Sequence, residues 1–221
     1  MRTVVFDLDG TLADTSADLI AAANACFRAM GVGDQLDVRD DAATAFRGGR
    51  AMLKLGLERL GHMECETEVD RQYPLLLQAY EAAIDTHTLL YPGAMDAVEA
   101  LRSAGYRVAI CTNKPEKLAH LLMTRLGVLD AFGALIGADT LPVRKPDPEP
   151  LREAVRRAGG NPERCLLVGD TVTDRETSRA AQVPSVLVTF GPDGHSVADL
   201  MPEALLSDYS ELPDITRRLI G

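Results

Sequence analysis

The chain has 221 residues, 46% of them hydrophobic, with 33 acidic against 23 basic side chains and a formal net charge of −10. That length and apolar content can fill one domain, or one domain carrying an insert. The acidic balance argues against a nucleic-acid partner, which needs a basic surface, and the sequence has neither a basic leader nor an apolar run of roughly 18 residues, so a cytoplasmic protein away from membranes is expected.

Thr3, Val4, Val5 and Phe6 form a short β-branched and aromatic run ending in charge, the pattern of a buried strand reaching its carboxyl edge. Asp7 and Asp9 follow at once. Two positions apart in extended backbone, their side chains point the same way, and Gly10 lets the chain turn sharply. Open parallel sheets bind ligands at this edge. Paired carboxylates there can act as nucleophile and proton shuttle, and a divalent cation would relieve their repulsion. The same residues also make an ordinary strand-to-turn junction.

Asp14 or Thr15 can cap a helix reaching to about Met30, with Leu19, Ala23, Phe27 and Met30 on one face and Gly31 as its stop. Helical patterns continue over 42–46, 51–60 and 69–84 with no strand between them. Residues 15–85 therefore read as an inserted all-helical domain, flanked by 1–14 and 86–221, which form the other domain. Within the insert, Arg47-Gly48-Gly49-Arg50 places backbone amides and two fork-shaped donors near a helix start. That combination suits a carboxylate or phosphate, and it also fits a plain surface turn.

From Tyr91 onward strands and helices alternate. The pattern predicts helices over 93–105, 117–126, 149–158 and 175–181, and strands over 106–111, 134–136, 165–168 and 185–189. Repeated βαβ units predict an α/β fold, a Rossmann-like parallel sheet with helices on both faces.

Three further places in this stretch carry chemistry. Thr112 and Asn113 follow a strand and could hold phosphate oxygens, although Thr-Asn before Lys-Pro is also a common helix start. Lys145, in Arg144-Lys145-Pro146-Asp147-Pro148, could place one ammonium from a proline-stiffened loop, or could be a solvated turn lysine. Asp170 and Asp174 stand four apart at a helix start, where one can reach a cation and the other orient its neighbours, and where Asp is also favoured for capping alone. Cys26, Cys65, Cys111 and Cys165 form no paired motif and read as reduced structural thiols. His62, His87, His120 and His195 are isolated and read as surface or capping residues.

Asp7-Leu8-Asp9-Gly10-Thr11-Leu12 resembles the signature of the haloacid dehalogenase-like superfamily. The later motifs, in order and each following a strand, extend that resemblance from Thr3 to about Gly191. It implies that Asp7 is the phosphorylated nucleophile and Asp9 the general acid and base. It implies further that Thr112 binds the phosphoryl group with Asn113 in support, and that Lys145 contacts both phosphate and nucleophile. Magnesium would be held by Asp7, the Asp9 main-chain carbonyl and Asp170, with Asp174 behind them. The helical insert resembles the superfamily's cap, expected to close over a small substrate.

Tyr91-Pro92-Gly93, Cys111-Thr112-Asn113-Lys114-Pro115 and the stretch 141–148 look most like phosphoglycolate phosphatases, in which Arg47, Gly49 and Arg50 would meet the non-phosphate end of the substrate. The expectation is therefore a magnesium-dependent hydrolase of a small phosphorylated metabolite, 2-phosphoglycolate first, working through an aspartyl-phosphate as a monomer or homodimer. A phosphosugar mutase, a haloacid dehalogenase and a catalytically silent phosphometabolite-binding module are the alternatives. Two departures from the family pattern, at Arg175-Glu176-Thr177 and at Phe190-Gly191-Pro192-Asp193, leave the substrate open.

Overall fold

The computed structural model describes residues 1–63, 65–191 and 193–221, so Pro192 of the second departure lies outside the described residues. In chain order the elements are β1 (Thr3–Phe6), β2 (Ala13–Asp14), α1 (Ser16–Ala29), α2 (Ala42–Ala45), α3 (Gly49–Arg59), α4 (Glu66–Ala82), β3 (Leu89–Leu90), α5 (Ala94–Ser103), β4 (Arg107–Cys111), α6 (Glu116–Arg125), β5 (Leu135–Ile136), α7 (Glu149–Arg157), β6 (Cys165–Gly169), α8 (Val172–Ala181), β7 (Ser185–Val188), β8 (Ala204–Leu206) and α9 (Leu212–Ile220). The chain divides into two compact units, one formed by Met1–Ala13 with Leu90–Gly221 and the other by Asp14–Leu89. The short strands β2 and β3 form a separate two-stranded sheet.

In the discontinuous unit, six parallel strands run in the order β5-β4-β1-β6-β7-β8. The amino-terminal strand is thus central, with Phe6 opposite Ile110 on one side and Val168 on the other. All four residues of β1 are buried, as a strand covered on both faces must be. Val5, Ala109, Cys111 and Leu167 pack with Leu151, Ala154 and Val155 of α7 into one core. The alternate residues Val4, Phe6, Ile110, Leu166 and Val168 are equally buried, with α5 against β4 and α9 against β6. The expected parallel α/β sheet is observed.

The continuous unit is built from α1, α2, α3 and α4 around Phe27, Met52, Leu53, Leu57, Leu76 and Tyr80, all of them fully buried. Polar side chains secure its loops. Asn24 accepts from the Gln35 and Leu36 amides, each at 3.0 Å, and donates to the Leu36 carbonyl at 2.8 Å. Asp18 on α1 receives the His87 and Thr88 amides and the Thr88 hydroxyl, which fixes the returning chain against the first helix. The four cysteines are free and buried. No helix among the described residues is long and apolar enough to cross a membrane.

Several boundaries differ from the sequence reading. Helix α4 starts at Glu66 and continues through Pro74, and α8 starts at Val172 rather than 175. The strand β8, the helix α9 and the 3₁₀ turns at Gly194–Leu200 and Tyr209–Glu211 were not anticipated.

Candidate active site at the carboxyl edge of the sheet

Asp7 lies one residue beyond β1, where the neighbouring ends of β4 and β6 and the loop before α7 converge. Its Oδ1 accepts from the Leu8 amide at 2.7 Å, which fixes the carboxylate against its own backbone. Its Oδ2 is 3.0 Å from the Lys145 ammonium, and the same ammonium donates to Asp174 Oδ1 at 2.7 Å. Lys145 is 3% exposed and Asp174 fully buried. A buried ammonium is tolerated only with such partners.

Asp174 is positioned by its helix. Thr171 and Asp174 form a reciprocal capping box, with Asp174 Oδ2 accepting from the Thr171 amide at 3.2 Å and hydroxyl at 2.8 Å, and from the Asp170 amide at 3.3 Å. Gly169 makes the approach possible, because a Cβ there would collide with the Asp174 side chain. Asp170, at the end of β6, receives the Thr11 hydroxyl on Oδ1 at 3.0 Å. One carboxylate oxygen from each of Asp7, Asp170 and Asp174 lies within 4.8 Å of the others.

The electrostatics follow from this crowding. Burial, opposed by Lys145 and aided by Asp174 and Asp9, raises Asp7 to about 6. Burial, with the charges of Asp174 and Asp7, raises Asp170 well above the usual carboxylate range. Burial alone would depress Lys145, but Asp174 and Asp7 outweigh it and hold the ammonium above its ordinary value. Burial pushes the adjacent Cys111 thiol up to about 12, so it is an inert apolar wall. The donor set is all oxygen and carries unneutralised negative charge, which is what a hard divalent cation such as magnesium fits.

Asp9 takes a different partner. Lys114 Nζ donates to both of its oxygens, at 2.7 and 2.9 Å, and the lysine side chain is 3% exposed. Thr112 Oγ1 accepts from the Lys114 amide at 3.2 Å, and Asn113 Nδ2 donates to the Lys145 carbonyl at 3.0 Å, which ties the end of β4 to the lysine loop. The structure therefore gathers Asp7, Asp9, Thr112, Asn113, Lys145, Asp170 and Asp174 at one edge.

Lys114 and Thr11 carry no expected role, although both stand inside the motifs Cys111-Thr112-Asn113-Lys114-Pro115 and Asp7-Leu8-Asp9-Gly10-Thr11-Leu12. Parallel register offered a signal for the lysine: with Phe6 level with Ile110, Asp9 and Lys114 each stand three residues past the end of their strand, which brings them close.

Arg47, Gly49 and Arg50 belong to the other unit. Gly48, with φ of 97°, and Gly49 open α3, and a Cβ on Gly49 would stand 3.0 Å from Leu76. Arg50 is engaged by Asp70 at 2.6 Å and Glu66 at 3.6 Å and lies over the Tyr73 ring. Arg47 is exposed.

Comparison with known proteins adds three findings. A model of haloacid dehalogenase-like hydrolases matches residues 1–182. A phosphoglycolate phosphatase of Mesorhizobium japonicum is 39% identical over 98% of this chain and 96% of its own length, and one of Cereibacter sphaeroides is 38% identical over the whole of both. The crystal structure of a predicted phosphoglycolate phosphatase from Haemophilus somnus superposes with a TM-score of 0.85 at 25% identity, covering 98% of each chain.

Proposed function

Because the chain belongs to the haloacid dehalogenase-like hydrolases, we propose that it hydrolyses a small phosphate monoester, 2-phosphoglycolate, in the cytoplasm through an aspartyl-phosphate on Asp7. The observation that carries the reading is the Lys145 ammonium held between the Asp7 and Asp174 carboxylates beside Asp170. The names of the relatives above support the choice of ester.

In the first step an Asp7 carboxylate oxygen attacks phosphorus in line. The phosphorus–glycolate bond breaks, and the departing oxygen takes its proton from Asp9. In the second step Asp9 takes a proton from water, the water oxygen attacks phosphorus, and the bond to Asp7 breaks to restore the carboxylate and release phosphate. Lys145 neutralises charge on the transferring group, while Thr112 and Asn113 hold it from the end of β4. Asp7, the Asp9 main-chain carbonyl and Asp170 would hold magnesium, which when bound neutralises phosphoryl charge and draws the acids together.

The test is phosphate release from a panel of small esters, with magnesium and with chelator, for the wild type and Asp7→Asn. Magnesium-dependent turnover favouring 2-phosphoglycolate is expected, with a loss on the order of 10⁴ or more in the variant. A flat profile would remove the substrate, and no turnover of any ester would sink the phosphatase reading.

A further inference from the structure

Two buried lysines divide this edge of the sheet. Lys145 is spent on the nucleophile side, between Asp7 and Asp174. Lys114 stands on the other side, with its ammonium on both oxygens of Asp9 and its side chain 3% exposed. Burying an ammonium is costly even when it is paired, and an apolar side chain would fill the same space without that cost. The position therefore calls for a positive charge.

What that charge faces follows from the chemistry. Asp9 must come within hydrogen-bond reach of the leaving oxygen, about 2.6–3.2 Å, so the ammonium gripping Asp9 stands beside the leaving group. In a two-carbon acid phosphate the carboxylate is only two bonds from that oxygen. Without Lys114 such a leaving group, once Asp9 has given up its proton, would face the Asp9 carboxylate with nothing between the two negative charges. A neutral leaving group would meet no such repulsion.

We propose that Lys114 is a specificity-determining residue, which makes this site select esters whose leaving group carries a negative charge next to the ester oxygen. The inference rests on the phosphatase reading above and goes beyond it in naming the residue and the substrate class. The cap is not needed for it, because Asp9 and Lys114 belong to the same unit.

The experiment compares kcat/KM for three two-carbon esters of similar size: 2-phosphoglycolate, its neutral carboxamide, and cationic phosphoethanolamine. The wild type should prefer them in that order, with about tenfold or more between the first and second, the size of one charge-assisted contact. In Lys114→Gln the ratio of the first two should collapse to within about threefold, whereas Lys114→Arg should keep the order. Ratios taken on one preparation cancel any loss of folded protein. A wild-type series without this order overturns the proposal irrespective of any variant. So does a Lys114→Gln enzyme that loses the same factor on every ester, for the lysine would then only hold Asp9. If wild type turns over none of the esters, the phosphatase reading itself fails and takes this inference with it, a result distinct from turnover without preference.

Discussion

Lys145 neutralises two carboxylates at once, and its replacement exposes what each contributes. In Lys145→Met the stem volume is kept, while Asp7 and Asp174 are left facing each other without a cation in a buried site. Removing one partner of such a pair costs about 3–5 kcal/mol, and this should appear as a lower urea midpoint at unchanged m. Phosphate release should fall by on the order of 10³ or more, as for loss of a group that stabilises transferring charge. Protons and magnesium should compete at the same place. Asp7 is raised from its ordinary 3.8 to about 6, so the fold holds this proton more tightly than an unfolded chain. Its contribution to stability is full below about pH 4 and is lost as pH rises through about 6. A cation bound at the ionised carboxylate acts in the opposite sense, so millimolar magnesium should raise Tm more at about pH 7.5 than at about pH 5. An equal rise at both would mean that the ion binds elsewhere. Asp7, Asp170 and Lys145 were legible in the sequence because each stands at a strand end or in a stiffened loop. Thr11 and Lys114 were not, because each acts through a partner brought to it only by the sheet, Asp170 lying 159 positions from Thr11 and Lys114 105 from Asp9.

Helix α8 is joined to the site through its own first turn. The sequence pattern predicts it over 175–181. It begins at Val172 because Thr171 and Asp174 satisfy its first amides reciprocally, so the residue that caps the helix is also the one that holds Lys145. Gly169→Ala tests that coupling. The added methyl would meet the Asp174 side chain, and Asp174 has no solvent to move into. Phosphate release should fall about tenfold or more, while the far-ultraviolet dichroism keeps its helical content; unchanged turnover would show that Asp174 tolerates displacement. Arg175, an apparent departure from a core-facing apolar pattern, is buried after all. Its guanidinium reaches the Leu200 and Met201 carbonyls, Ser185 Oγ at 3.0 Å and Glu203 at 2.7 Å, and so ties α8 to the segment before β8. Neither this clasp nor β8 was visible in the sequence, for Ala204–Leu206 is three residues long and lies between Glu203 and Ser207-Asp208.

Across the whole molecule, the alternation of apolar runs and amphipathic helices from Tyr91 onward revealed a parallel sheet, but periodicity carries no information on the order of strands across it. That order decides what a substitution costs. Leu167, in the interior of the sheet and fully buried, should cost about 2–5 kcal/mol on truncation to Ala. Leu205, on the edge strand and 37% exposed, should stay within about 0.5 kcal/mol. Urea midpoints of the two variants would check this, and equal losses would contradict the burial assigned to them. The central place of β1 also bears on how the protein is made. Translation delivers this apolar strand before the other five of its sheet, yet its neighbours are completed only after residues 107–111 and then 165–169 have emerged. At roughly 5–20 residues per second, Thr3–Phe6 waits on the order of 10–30 s for its second neighbour. Residues 14–89 are all synthesised in that interval, so the helical unit can assemble on the ribosome while the strand that leads to Asp7 is still unpaired and sticky.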